Sequence, residues 1–310
     1  MEETREMVKV WPRKDISRET YMTRVTSKRG AGRGYELEGA VGMYPSVTHI
    51  LSYTTVKHAL PQWYAKKVAE KAGEHWQNEY KPRHDTPVDE FIKDIKSAPS
   101  EEFKHAGKVG TEVHDLINKA IRYKMDNPYT TWEEISEFGE RTQYPEPEVG
   151  VAFKNWVAFI IANYPDIVFL ETEFATYIDG HVVSPDHGGT VNIPLYVGTV
   201  DAVGLTPDHK LVVFDWKTGS GIYDEAGYQV AAYCNSIWNG NEQLADIYGG
   251  ITGAVVRLSK TDAEFEVKTI TDWERPSIVF KTMCSLYTQL SYPVFDKKAK
   301  MPRKKKVSNA

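Results

Sequence analysis

Phe214-Asp215-Trp216-Lys217 closes an apolar stretch that reads as a strand. Side chains on a strand alternate, so Asp215 and Lys217 share one face while Phe214 and Trp216 share the other. Asp201 lies on the preceding strand-like segment, 193–205, which a tight turn at Thr206-Pro207-Asp208-His209 joins to it. Paired strands run only about 4.8 Å apart. Two carboxylates that close repel unless a cation lies between them. A hard divalent ion such as Mg2+ or Mn2+ takes oxygen ligands, and the backbone carbonyl of Trp216 is a natural further one. An isolated Asp-x-Lys is more often a strand-end ion pair, but three further pieces favour chemistry.

The first is Gly110-Thr111-Glu112-Val113-His114, in a segment, 107–124, that reads as an amphipathic helix. Val113, Leu116, Ile117, Ala120 and Ile121 form its buried stripe. His114 stands at the edge of that stripe. Gly107 and Gly110 remove bulk from the turns before it, leaving room for a metal or a phosphate. The second piece is Gln229 and Tyr233, an i, i+4 pair on the shoulder of the helical segment 224–238. The third is Gly198-Thr199-Val200-Asp201, where a glycine within a strand marks close approach by another group. Glu171 and Glu173 share one face of the strand-like segment 167–177 and offer a further carboxylate.

The elements that must position these residues follow from periodicity. Residues 1–43 show no sustained period and read as an irregular basic arm. Ser46 caps a short helix through Ile50 and Leu51, and a second helix follows Pro61. Pro82, Pro87 and Pro99 allow only short helix between 81 and 100. Helices are expected at 107–124 and 148–163, then strands at 167–177, 193–205, 210–217, 247–258 and 264–270. The helix 224–238 separates the third strand from the fourth, and a last helix covers 276–290. This is an α/β sandwich, a mixed central sheet flanked by helices with an N-terminal helical elaboration. The expected organisation is an arm (1–43), one domain (44–293, helical over 44–165 with the sheet over 166–293) and a basic tail (294–310).

Of the 310 residues, 41% are hydrophobic, enough for a full core, and no run is apolar enough to span a membrane. Residues 1–15 contain no apolar run of the secretory kind. Cys234 and Cys284 form no metal-binding pair, so a reducing cytoplasm is the expected compartment. The net charge of −5 hides basic ends, with Lys297, Lys298, Lys300, Arg303, Lys304, Lys305 and Lys306 in the tail. Such ends are compatible with contacts to a nucleic-acid backbone. Trp63, Tyr64 and Trp76 could stack on the bases of a single strand.

In order, G-T-x-x-H, G-T-x-D, D-W-K-T and Q-x-x-x-Y resemble the motifs of the PD-(D/E)XK nuclease superfamily, in its RecB-like exonuclease branch. Phage-encoded members and the mitochondrial genome maintenance exonuclease belong to that branch. The motifs span Gly110 to Tyr233, and the expected core order matches that family's. The resemblance implies a metal-dependent deoxyribonuclease acting in phage or bacterial DNA replication, recombination or repair, more an exonuclease than a structure- or sequence-selective endonuclease, with a non-catalytic DNA- or protein-binding module on the same fold as the second alternative. A protein partner in replication or recombination is possible in that setting. It implies one or two Mg2+ or Mn2+ ions held by Asp201, Asp215, His114, Glu173 (with Glu171 its rival) and the Trp216 carbonyl. Lys217 would orient or deprotonate the attacking water and stabilise the phosphorane charge. Gln229, Tyr233 and Thr218 would lie against the DNA. Asp201 takes the place of the family's Pro-Asp aspartate. The Pro-Asp pairs at 165–166, 185–186 and 207–208 are poorly placed for it. Two cysteines exclude the four-cysteine iron–sulfur cluster of one related branch.

Overall fold

Residues 211–217 carry apolar side chains on both faces, and the structure buries that strand from both sides. This computed structural model describes residues 3–11, 21–27, 33–37, 44–55, 59–78, 88–142, 146–183, 190–239 and 243–290. The first half of the chain gives β1 (Glu3–Lys9), β2 (Tyr21–Ser27), β3 (Arg33–Leu37), β4 (Tyr44–Pro45), α1 (Val47–Thr54), α2 (Ala59–Asn78), α3 (Val88–Asp126), α4 (Trp132–Arg141) and α5 (Pro147–Asn163). The second half gives β5 (Val168–Val183), β6 (Thr190–Leu205), β7 (Leu211–Lys217), α6 (Asp224–Trp238), α7 (Leu244–Ile247), β8 (Ile251–Leu258), β9 (Phe265–Ile270) and α8 (Glu274–Leu290). The protein is mixed α/β with two sheets.

The larger sheet has the order β5-β6-β7-β8-β9, with β7 in the middle. Its neighbours are antiparallel except β7 and β8, which run parallel. A parallel pair needs a crossover, and α6 supplies it. Leu211 and Val213 enter one core beneath α1, α6 and α8. Val212, Phe214 and Trp216 enter the other, against α3, α4 and α5. The alternation read from the sequence therefore holds: Asp215 lies on the α6 side and the Trp216 ring on the α5 side. Cys234 and Cys284 pack in the first core. The turn after β6 closes with His209 at φ 58° and the Lys210 amide donating to Thr206 Oγ1 at 3.1 Å.

Three expectations need correction. The described part of residues 1–43 is not an irregular arm, because β1, β2 and β3 form an antiparallel sheet with β4. Val8, Val10, Met22, Tyr35 and Tyr44 pack with Ala175, Tyr177 and Val197 of the larger sheet. The threonines and tyrosines among the arginines are themselves strand formers. The stretch before Gly107 is not short helix, since α3 starts at Val88 and passes through Pro99. A buried proline turn forfeits one hydrogen bond. α3 runs beside α2 over this stretch, with Lys67 3.3 Å from Glu102 and Lys71 3.8 Å from Asp94. Finally, α4 was not expected, although Thr131 and Glu134 form a capping box whose spacing is plain in the sequence. The expected tail 294–310 and the Pro185-Asp186 pair lie outside the described residues. Among the described residues, no helix is long and apolar enough to cross a membrane.

Candidate metal centre

β6 pairs with β5 along its length, but its other edge changes partner. Val197 bridges Ser46 beside β4, whereas Ala202 pairs with Phe214 of β7. The sheet forks between these points, and Asp201 stands at the fork. Its Oδ2 accepts a 2.7 Å hydrogen bond from the Trp216 amide, and its carbonyl accepts one, also 2.7 Å, from Thr172 Oγ1. The aspartate thus continues the ladder where the strands diverge. Val200 and Val203, three residues apart, both face the first core, so strict alternation slips here as well.

α3 brings His114 to this fork. Val113, Leu116, Ile117, Ala120 and Ile121 are fully buried, as the stripe required. His114 at its edge places Nδ1 3.2 Å from Asp201 Oδ1. Burial lowers the histidine's pKa, but the Asp201 carboxylate outweighs it and the net value is raised to about 9. Burial raises the Asp201 pKa, yet His114, Lys217 and the Trp216 amide leave it below the ordinary value.

Glu173 lies across β5 from Asp201, between the pairs Thr172–Ala202 and Phe174–Val200. Its φ is 49°, in the left-handed region that non-glycine residues seldom occupy. This backbone excursion sets its carboxylate beside the other two groups: ligand atoms of His114, Glu173 and Asp201 all lie within 4.8 Å of one another. Burial and the Asp201 charge raise its pKa to about 7, against His114 and Arg24, which lower it. The rival Glu171 is engaged elsewhere, 2.8 Å from Lys9 Nζ.

Asp215 does not join that group. It is buried, and its Oδ1 accepts hydrogen bonds from Lys217 Nζ at 2.9 Å and Gln229 Nε2 at 2.8 Å. Its Oδ2 is 2.7 Å from Lys217 Nζ as an ion pair, but the angle is wrong for a hydrogen bond, and this buried oxygen has no hydrogen-bond partner. Burial raises the Asp215 pKa to about 6, with Lys217 opposing and Asp201 reinforcing the rise. For Lys217, burial lowers the pKa, but Asp215 and Asp201 raise it further, so the side chain stands as an ammonium.

Gln229 links this pair to α6. Lys217 Nζ donates to Gln229 Oε1 at 3.3 Å, and Gln229 Nε2 donates to the Tyr233 hydroxyl at 2.9 Å. Tyr233 is buried and packs over Gly198, where a Cβ would come within 2.2 Å of its ring. It therefore positions Gln229 and has no face for DNA. Close approach at Gly110 is to Thr218 Oγ1, 3.1 Å from where a Cβ would be, while Gly107 faces open space. Trp216 contributes its amide to Asp201 and its ring to the core, stacked on Phe214. Thr172 was missed from the sequence, and no motif marks it.

A second group of the same composition, His105, Glu146 and Glu148, also has ligand atoms within 4.8 Å of one another. Its carboxylates are already engaged: Glu146 is 2.8 Å from Lys108, and Glu148 is 2.6 Å from the His105 ring and 3.8 Å from Lys260. On α2, Trp63 and Tyr64 form an edge-to-face pair at 5.3 Å with Tyr64 exposed. The side chain of Trp76 lies outside the described residues.

No family model and no curated protein matches the chain. Among solved structures, one described as the crystal structure of SSO0001 is 16% identical over 58% of this chain and 75% of its own, with a TM-score of 0.28. A likeness that slight bears on neither fold nor function.

Proposed function

We propose that this chain is a metal-dependent deoxyribonuclease of the PD-(D/E)XK type, hydrolysing DNA phosphodiester bonds from an end of the strand. The observation that carries the reading is the arrangement at the fork. A histidine and two carboxylates converge there, beside an ammonium held in place by Asp215 and Gln229. The exonuclease mode, and a place in phage or bacterial DNA replication, recombination or repair, rest on the motif resemblance alone.

The donor set fits a divalent cation. The carboxylate oxygens suit Mg2+ or Mn2+, the imidazole favours Mn2+ of the two, and the buried Asp215 Oδ2, ion-paired with Lys217, accepts no hydrogen bond. His114, Glu173 and Asp201 would hold the ion, with Asp215 and the Trp216 carbonyl as further ligands by resemblance. When bound, such an ion acidifies water and neutralises phosphate charge.

Hydrolysis forms a bond from water oxygen to phosphorus, releases a water proton and expels an alkoxide that takes up a proton. Lys217, held on Asp215, would orient the attacking water or help to deprotonate it and would offset the charge that builds on the phosphoryl oxygens. Gln229 fixes the direction of that ammonium through Oε1 and of Asp215 through Nε2. Tyr233 fixes Gln229.

The test is a gel assay on end-labelled linear DNA, single- and double-stranded, beside a covalently closed circle, with Mg2+, Mn2+ or EDTA. The native chain degrades linear DNA in metal only, and Lys217→Ala does not. Nicking of the circle would shift the mode to endonuclease. Binding of DNA without cleavage under any condition would overturn the enzymatic reading.

A further inference from the structure

The smaller sheet does more than cover the larger one. Glu6, Arg24 and Tyr35 stand directly opposite one another on β1, β2 and β3, so their side chains form one row on one face. That face packs on β5 and β6. The Tyr35 hydroxyl lies 2.6 Å from Thr199 Oγ1, and Thr199 is two residues before Asp201 on β6. The row therefore ends beside the fork.

Arg24 is held there by Glu6, whose Oε2 accepts from Nε at 3.1 Å and also from Nη2. The arginine side chain is 19% exposed and the glutamate 62%. A guanidinium has five N–H groups, and Nη1 has no hydrogen-bond partner among the described residues. Arg24 is near enough to Glu173 for each to act on the other's charge. A cross-strand ion pair serves as well fully exposed. A half-buried guanidinium next to a carboxylate cluster, with one edge engaged and another open, is arranged to receive an anion.

We infer that Arg24 binds a backbone phosphate of the DNA beside the candidate metal centre, with Glu6 holding its guanidinium in place. The inference rests on the nuclease reading above and extends it to the N-terminal sheet. A planar fork meets phosphate oxygens in two parallel hydrogen bonds, which a lysine at the same place would not reproduce.

The test compares Arg24→Gln, Arg24→Lys and Glu6→Gln with the native chain, on an end-labelled single-stranded oligonucleotide. Cleavage is followed in Mg2+, and binding in EDTA across a salt series. Arg24→Gln raises KM about tenfold with kcat within about threefold, and lowers the salt slope of binding by about one. Arg24→Lys recovers part of the affinity. Glu6→Gln leaves affinity within about twofold, because the amide oxygen still accepts from Arg24 and the arginine keeps its charge. Replacing single phosphates by uncharged methylphosphonates weakens binding to the native chain at one position where Arg24→Gln shows no further loss. If the pair only joins β1 to β2, Glu6→Gln and Arg24→Gln cause equal losses and no phosphate stands out, which overturns the inference while cleavage by the native chain stands. A native chain that does not cleave overturns both.

Discussion

α3 carries two histidines that each meet two carboxylates, and the two groups differ in everything except composition. His105 is exposed and Glu146 and Glu148 are half-buried, Glu146 at the N-cap position of α5 without a capping hydrogen bond and Glu148 in its first turn. Carboxylates at a helix N-terminus are already favourably placed, and Lys108 and Lys260 add their charges while the His105 ring meets Glu148. His114, Glu173 and Asp201 lie half-buried at the fork, on a backbone that holds Glu173 at φ 49°. Here the carboxyls of Glu173 and Asp215 are pushed up to about 7 and about 6. Equal ligand types at equal spacing therefore do not make equal sites. The surface group is content as it stands, whereas the fork stores strain and unbalanced charge that a cation would relieve.

Cleavage shows the largest expected contrast. Asp201→Asn and Lys217→Ala each lower the metal-dependent rate by about 1,000-fold or more, while His105→Ala stays within about twofold in the same assay. Packing gives the next contrast. Gly198→Ala drives a Cβ to within 2.2 Å of the Tyr233 ring, an overpacking expected to cost about 1–3 kcal/mol in denaturant unfolding. Gly107→Ala, near the surface group, meets nothing within 4 Å and lies inside α3. It should stabilise by about 0.5–1 kcal/mol.

Relief of strain comes third. Glu173→Gly suits the left-handed backbone and removes a charge next to Asp201, so the metal-free protein should gain about 1 kcal/mol. That corresponds to a rise in Tm of about 1–2 °C. Glu148→Gln should change stability by no more than about 0.5 kcal/mol. An unchanged Tm for Glu173→Gly would mean that the fork stores no strain.

The last contrast is in pH. His114 has a folded pKa raised from 6.5 to about 9. The charged form thus contributes stability that is complete below about 6.5 and lost as pH rises through about 9. Unfolding of the metal-free native chain in urea at pH 6 and pH 9 should show this loss, and His114→Ala should flatten it. An equal slope in both proteins would remove His114 from the account.

Some of this was written plainly in the sequence. Alternation along Phe214-Asp215-Trp216-Lys217 sorts chemistry from core, and the stripe from Val113 to Ile121 points His114 at the sheet. Period two cannot choose between Glu171 and Glu173, because it puts both on one face. The choice is made by the left-handed backbone at Glu173 and by Lys9, which engages Glu171 from β1. The N-terminal sheet escaped for a related reason. Its short strands bury one face against β5 and β6, so their polar outer residues mask the period until that partner is present. Pro99 was read as a helix boundary, and tertiary packing overrode it.

The most direct measurement is the anomalous diffraction of Mn2+ in crystals soaked with the ion. The account predicts a peak among His114, Glu173 and Asp201 and none at His105, Glu146 and Glu148. A peak at the surface group alone, or none at the fork at saturating Mn2+, would contradict it.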